Sequence, residues 1–264
     1  MRTLKLTIAY DGTQYGGWQV QPNANTIQAE LERAIHQIVG EQVRTTASGR
    51  TDAGVHALGQ VISCQTTSTL AASRLVVAIN SKLPDDIRVL QAEDAPEGFH
   101  AIRNATRKRY RYRIWNANIL DVFQRQFIWH IPIPLDTAEM KRAIEQIRGE
   151  HDFMSFQSTG SPRKTTVRNM FDVGFEVRTV TGGQEISIEL EADGFLYNMV
   201  RNIVGTLVWI GRGHETAEWI PSLIEAKNRR EAGMTAPAKG LTLVQVWYDE
   251  ESDGMESSTA MVHT

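Results

Sequence analysis

Two stretches of this chain carry the same order of secondary-structure signals, and few folds accept that order. Leu4, Leu6 and Ile8 alternate with Thr3, Lys5 and Thr7, the period of a half-buried strand running to about Tyr10. Beyond a Gly-, Gln- and Asn-rich loop from Asp11 to Asn25, residues Ile27, Leu31, Ile35 and Ile38 fall near helical spacing. Asn25 or Thr26 serves as N-cap and Gly40 as the stop, which predicts a helix over 26–39. Strands follow over 42–48 and 59–66, then a helix over 71–83 ended by Pro84, then a strand around Ile87 and Val89. The second stretch reads as a strand over 108–115, a helix over 137–148, and two strands (166–178 and 185–191) meeting about Gly182-Gly183. An apolar helix over 196–210, an added helix over 215–226 and a final strand over 241–248 complete it. Each stretch is therefore βαββαβ, the ferredoxin-like order. The expected class is α+β: a half over 1–103 and a half over 104–250 share one continuous, mostly antiparallel sheet, with helices on one face and a central cleft. Residues 251–264 are polar and read as a loose tail.

Between the second and third strands lies Ser48-Gly49-Arg50-Thr51-Asp52-Ala53-Gly54-Val55-His56. Glycines frame it and permit backbone angles that would hold a carboxylate rigidly at a strand end. Asp52 is the candidate reactive group. Alternatively Asp52 caps the turn and Arg50 pairs with it for structure alone, and spacing does not choose. Thr51 and His56 read as scaffold hydrogen-bonders, and Asp11 as the former of an Asx turn.

Charge narrows the partners. Twenty-eight basic residues against 31 acidic ones leave a formal charge of −3, unlike a protein that coats nucleic acid non-specifically. Yet Arg103, Arg107, Lys108, Arg109, Arg111 and Arg113 crowd eleven positions without an acid. In a strand, Arg107, Arg109, Arg111 and Arg113 share one face and Lys108, Tyr110, Tyr112 and Ile114 the other. The arginines are either a solvated surface or candidates for the phosphates of an RNA backbone. The tyrosines are either core or a platform for a base. Arg201 sits among Met199, Val200, Ile203, Val204 and Leu207, where a cation needs an anionic partner. A carboxylate on a neighbouring helix would serve. The single cysteine, Cys64, excludes an internal disulfide, and scattered histidines give no metal-ligand spacing. No apolar run reaches the roughly 18 residues of a membrane span, and the alternating N-terminus is unlike a signal peptide. The expected location is cytoplasmic. Neither a Walker loop nor a dinucleotide fingerprint is present, and no cofactor is expected.

Gly49 to Ala57, Gly-Arg-Thr-Asp-Ala-Gly-Val-His-Ala, resembles the signature of the tRNA pseudouridine synthase A family. Tyr10 to Gln19, Phe99 to Ala101, Arg109 to Tyr112 and Met199 to Gly205 resemble further family stretches in the same order. The resemblance spans about residues 4 to 248. It implies isomerisation of uridine to pseudouridine at positions 38, 39 and 40 of the tRNA anticodon stem-loop, by a homodimer without cofactor. Asp52 is then the catalytic aspartate, Arg201 its ion partner and Tyr110 the contact to the target base. Arg50 helps displace the nucleotide into the pocket, the base flipping that such chemistry requires. Tyr112 reads as packing. The pattern departs at Ile102, where the family often carries arginine, with Arg103 next in line. One rival is a non-catalytic RNA-binding or tRNA-folding protein that keeps the fold. Another is a nucleotide hydrolase, which would want a second carboxylate near Asp52 as general acid; the loop has none.

Overall fold

Leu4, Leu6, Ile8 and Tyr10 are all buried, so the alternation at the start of the chain lays one side of β1 (Arg2–Tyr10) against the core. The computed structural model describes residues 1–160 and 164–248. After β1 come α1 (Ile27–Val39), β2 (Thr45–Ala47), β3 (His56–Thr66), α2 (Ala72–Asn80) and β4 (Ile87–Asp94). The chain continues with β5 (Ala105–Ala117), β6 (Trp129–His130), α3 (Thr137–Glu145), β7 (Gly149–Asp152), β8 (Val167–Val180) and β9 (Gly183–Ala192). It ends in α4 (Met199–Gly211), α5 (Trp219–Ala226) and β10 (Leu241–Tyr248). Among the described residues the ten strands form one large sheet in the order β4-β1-β3-β10-β5-β9-β8-β7, with β2 on β3 and β6 on β5. The sheet is mostly antiparallel; the β10–β3 and β5–β6 pairs are parallel.

The helices follow their local chemistry. In α1 the Thr26 side chain accepts from the Ala29 amide, and Gly40 ends the helix with φ of 75°, a left-handed stop that costs glycine little. Among the described residues no helix is long and apolar enough to cross a membrane.

The sheet also departs from the local pattern. β2 is only three residues, shorter than the expected 42–48. β3 begins at His56 and not 59, because Thr242 and Leu243 of β10 pair with His56 and Ala57. That partner lies almost 190 residues along the chain and leaves no local signal. β6 and β7 were not expected at all. The β8–β9 turn centres on Thr181-Gly182, with Val180 opposite Gly183 and Gly182 at φ 80°. The expected tail, 251–264, lies outside the described residues.

Register brings the two halves of the sequence together at one level of the sheet. Leu243 faces Tyr110 on one side and Ala57 on the other, so the 48–56 loop enters β3 beside Tyr110. Behind it, α4 is almost wholly buried and lies against the 233–236 segment. There a Cβ on Gly205 would stand 1.6 Å from the Met234 carbonyl oxygen, far inside any tolerable contact. Gly205→Ala is therefore expected to destabilise the fold by about 2 kcal/mol or more, read as a lowered urea midpoint.

Candidate active site

The 48–56 loop is fixed from below by a polar residue in an otherwise apolar row. Gln60 takes the core-facing position opposite Ile8. Its Nε2 donates to the Gly49 carbonyl at 2.7 Å, and its Oε1 accepts from the Ser48 hydroxyl at 2.7 Å. The Ser48 amide donates to the Val61 carbonyl at 2.8 Å, and Lys108 Nζ donates to the Ser48 carbonyl at 2.5 Å. Thr51 shares a 2.8 Å hydrogen bond with the Tyr10 hydroxyl, whose titration burial pushes up to about 12. The Trp18 amide donates to the Thr51 carbonyl at 3.0 Å, and Val55 N to the Asp52 carbonyl at 3.1 Å.

The glycines of the 11–25 loop explain its composition. A Cβ on Gly12 would meet the Val55 oxygen at 2.0 Å, and one on Gly17, at φ 96°, the Thr51 oxygen at 2.7 Å. Only glycine lets these two backbones touch. The Gly12 amide donates to His56 Nδ1 at 3.1 Å, which makes Nδ1 an acceptor and directs the proton on Nε2 to the Gln126 carbonyl at 3.0 Å. Asp11 Oδ1 also lies 3.1 Å from Nδ1, but it is already taken by the Thr13 amide at 2.9 Å and the Thr13 hydroxyl at 2.5 Å. Asp11 closes a turn and His56 ties it to the sheet, both as scaffold.

Asp52 emerges from this frame with its side chain 32% exposed, against Arg201 at 17%. Arg201 Nη1 donates to Asp52 Oδ2 at 3.3 Å and to Asn198 Oδ1 at 2.8 Å, while Nε donates to the Ala236 carbonyl at 2.7 Å. Burial pushes the Asp52 carboxyl above the ordinary aspartate range, and the Arg201 charge and hydrogen bond pull it back without cancelling the push. Arginine opposes desolvation here and does not overcome it. Among the described residues Oδ1 of Asp52 has no hydrogen-bond partner, so one oxygen is available to a substrate.

Tyr110 is 8% exposed, with its ring edge-on to Phe195 at 5.0 Å between centroids. Burial, then the neighbouring Tyr10 and Asp52, raise its titration well above the ordinary phenol range. Tyr112 is core: its hydroxyl donates to the Pro237 carbonyl at 2.8 Å. Arg50 is exposed and, among the described residues, has no hydrogen-bond or ion partner.

The basic strand looks different once folded. Arg107 and Arg109 both pair with Glu191, at 3.1 and 2.6 Å, Arg111 pairs with Glu189 at 2.6 Å, and Arg113 with Glu185 at 2.7 Å. Arg107 and Arg109 also lie over the Trp247 ring, each 5.2 Å from its centroid. The charge asymmetry of the sequence is thus balanced by glutamates from β9, which β5 meets edge to edge through Arg109↔Glu191 and Arg111↔Glu189. Ile102, where the family often carries arginine, is 52% exposed. Asn198 and Gln60 do not stand out in the sequence as site residues. Only Gln60 had a signal, a polar side chain at a core-facing strand position.

Nearly the whole chain is similar to known proteins of one family. A family model described as tRNA pseudouridine synthase matches residues 6–103 and 143–249. The tRNA pseudouridine synthase A of Moorella thermoacetica is 47% identical over 250 residues, covering 94% of this chain and 100% of that protein. The proteins of the same name from Ruminiclostridium cellulolyticum and Thermoanaerobacter sp. (strain X514) are 46% and 44% identical, each over 248 residues with the same coverage.

Proposed function

The chain belongs to the tRNA pseudouridine synthase family, and from that premise we propose that it isomerises uridine to pseudouridine at positions 38, 39 and 40 of the tRNA anticodon stem-loop. The observation that carries the proposal is the pairing of Asp52 with Arg201 in the neighbourhood of buried Tyr110, three residues from distant parts of the chain.

The reaction breaks the bond from uracil N1 to ribose C1′ and makes one from C5 to C1′; C5 loses a proton and N1 gains one. Asp52 acts at the sugar, either by adding to C1′ or by taking the C2′ proton. Arg201 favours the ionised form that either route needs. Tyr110, kept neutral by burial, covers the detached base so that it turns over without leaving. A stacked uridine does not reach such a pocket, so the nucleotide flips out, and exposed Arg50 takes the vacated space. Arg107, Arg109 and Arg111 remain candidates for the RNA backbone, at the cost of exchanging a glutamate for each phosphate.

We read residues 1–103 and 104–250 as ferredoxin-like halves with the cleft between them. In support, the strands of the first half lie side by side as β4-β1-β3-β2, and those of the second, with the short β6 and β7 set aside, as β10-β5-β9-β8. The family model also matches in two separate segments, 6–103 and 143–249. By the same family reading the active form is a cytoplasmic homodimer, and the reaction as written consumes no cofactor.

The test uses tRNA transcripts tritiated at C5 of uridine. Tritium release is expected, with pseudouridine mapped to the anticodon stem-loop, and release should vanish when all three positions carry cytidine. Undiminished release from that transcript would refute the site assignment. Bound but unreacted tRNA would favour the non-catalytic rival.

A further inference from the structure

The grip on Arg201 is tighter from behind than from Asp52. Its Nη1 bond to Asn198 Oδ1 is 2.8 Å and its Nε bond to the Ala236 carbonyl 2.7 Å, against 3.3 Å to the carboxylate. Asn198 also departs from ordinary backbone geometry. It starts α4 at φ 59° and ψ 11°, a left-handed conformation that non-glycine residues adopt at some cost and asparagine tolerates better than most. That conformation turns its side chain back along the helix onto Arg201, three residues on.

The amide has a partner on its far side too. Asn198 Nδ2 donates to the Ser158 hydroxyl oxygen at 3.2 Å, and the same oxygen accepts from Asn202 Nδ2 at 3.2 Å. Asn202 is fully buried. It donates to the Phe156 carbonyl at 2.8 Å and accepts from Arg229 at 2.9 Å and Thr235 at 2.6 Å. Inverting the Asn198 amide would set its NH2 against a guanidinium, which only donates, so the Arg201 contact fixes the orientation with Oδ1 toward Nη1.

We propose that Asn198 is a positioning residue for the reaction, whose side-chain carbonyl, held by Ser158 and a left-handed backbone, keeps the Arg201 guanidinium aimed at Asp52 whatever the charge on Asp52. The proposal rests on the catalytic reading of Asp52 given above. A neutral acceptor is required. A carboxylate at this position would share Arg201 Nη1 with Asp52 and divide its charge, and the two like charges would oppose each other's ionisation. The other ionisable groups around the loop are Tyr10 from β1, His56 at the start of β3, Lys108 and Tyr110 from β5, and Arg50 and Asp11; none of them ion-pairs with Asp52 among the described residues.

The experiment follows single-turnover C5 tritium release across pH 5.5 to 9, with tRNA affinity measured in parallel, for Asn198→Asp, Asn198→Gly and Asp52→Asn. Asn198→Asp is expected to move the acid limb of the rate profile up by about one pH unit with tRNA affinity unchanged. Asn198→Gly accepts the backbone angle, so it keeps the fold, and should lower the rate at neutral pH about tenfold without weakening tRNA binding. An Asn198→Asp limb at the wild-type pH, beside an inert Asp52→Asn, would overturn the proposal alone. So would losses confined to tRNA affinity in both Asn198 variants. Undiminished turnover by Asp52→Asn would overturn the catalytic reading and this proposal with it. If Asn198→Asp does not fold, Asn198→Gly decides, through rate against affinity.

Discussion

Asp52→Asn is expected to lower pseudouridine formation by about 10⁴-fold at every pH, while tRNA binding persists and the protein unfolds at a higher temperature than the wild type. The loss follows from the role: an amide neither adds to C1′ nor removes a proton from C2′. The gain follows from the sign of the carboxyl's shift. Burial outweighs Arg201 and leaves the folded-state pKa above the ordinary aspartate value, so the folded protein holds that proton more tightly than the unfolded chain does. Stability from this group is present when it is protonated and is lost as pH rises through the interval from the unfolded to the folded value. Above the interval the carboxylate is a net burden on the fold. The amide keeps an acceptor for Arg201 and never charges. Melting temperatures of the two proteins should coincide at low pH and diverge in the variant's favour as pH rises. Equal melting at all pH values would show that the ion pair with Arg201 balances desolvation, and a less stable variant at neutral pH would show that it outweighs it.

This opposition between activity and stability also shows which parts of the site were legible in sequence. Asp52 stands out as a candidate because two glycines bracket its loop, and Arg50 only through the family resemblance; glycine at a loop that touches neighbouring backbone is a steric requirement, as the 2.0 Å and 2.7 Å approaches at Gly12 and Gly17 illustrate from the facing segment. Strands and helices with strong periodicity, such as β1 and α1, were readable for the same local reason. What local pattern does not carry is pairing at a distance. The early start of β3 depends on β10, and the neutralisation of Arg107, Arg109 and Arg111 depends on glutamates some 80 residues away in β9. Read along the chain the arginines are a basic run; read across the sheet they are one side of an ion-pair ladder. Asn198 is the extreme case, since its importance lies in a backbone angle and an amide orientation, neither of which residue type alone reveals.

Arg201→Gln should produce a defect of another shape. Removing the guanidinium leaves the burial of Asp52 unopposed, so its carboxyl moves further above the ordinary range and fewer molecules are ionised at neutral pH. Activity near pH 7 is expected to fall on the order of 10²- to 10³-fold, with part of it returning as pH rises, because the carboxylate is still present and only its protonation has changed. Asp52→Asn offers no such recovery, and the two pH profiles together separate loss of the reacting group from loss of its electrostatic support. Stability separates them as well. Arg201 supplies the donors to the Ala236 carbonyl and the Asn198 side chain, and a buried acceptor left without a donor costs about 1 to 3 kcal/mol. Gln is too short to reach both, so Arg201→Gln should lower the unfolding midpoint where Asp52→Asn raises it. In the double variant the penalty for orphaned acceptors remains while the uncompensated carboxylate is gone. Its stability should therefore lie above that of Arg201→Gln alone at neutral pH and converge with it in acid. A double variant no more stable than Arg201→Gln at neutral pH would mean that Arg201 anchors the 233–236 segment without acting electrostatically on Asp52.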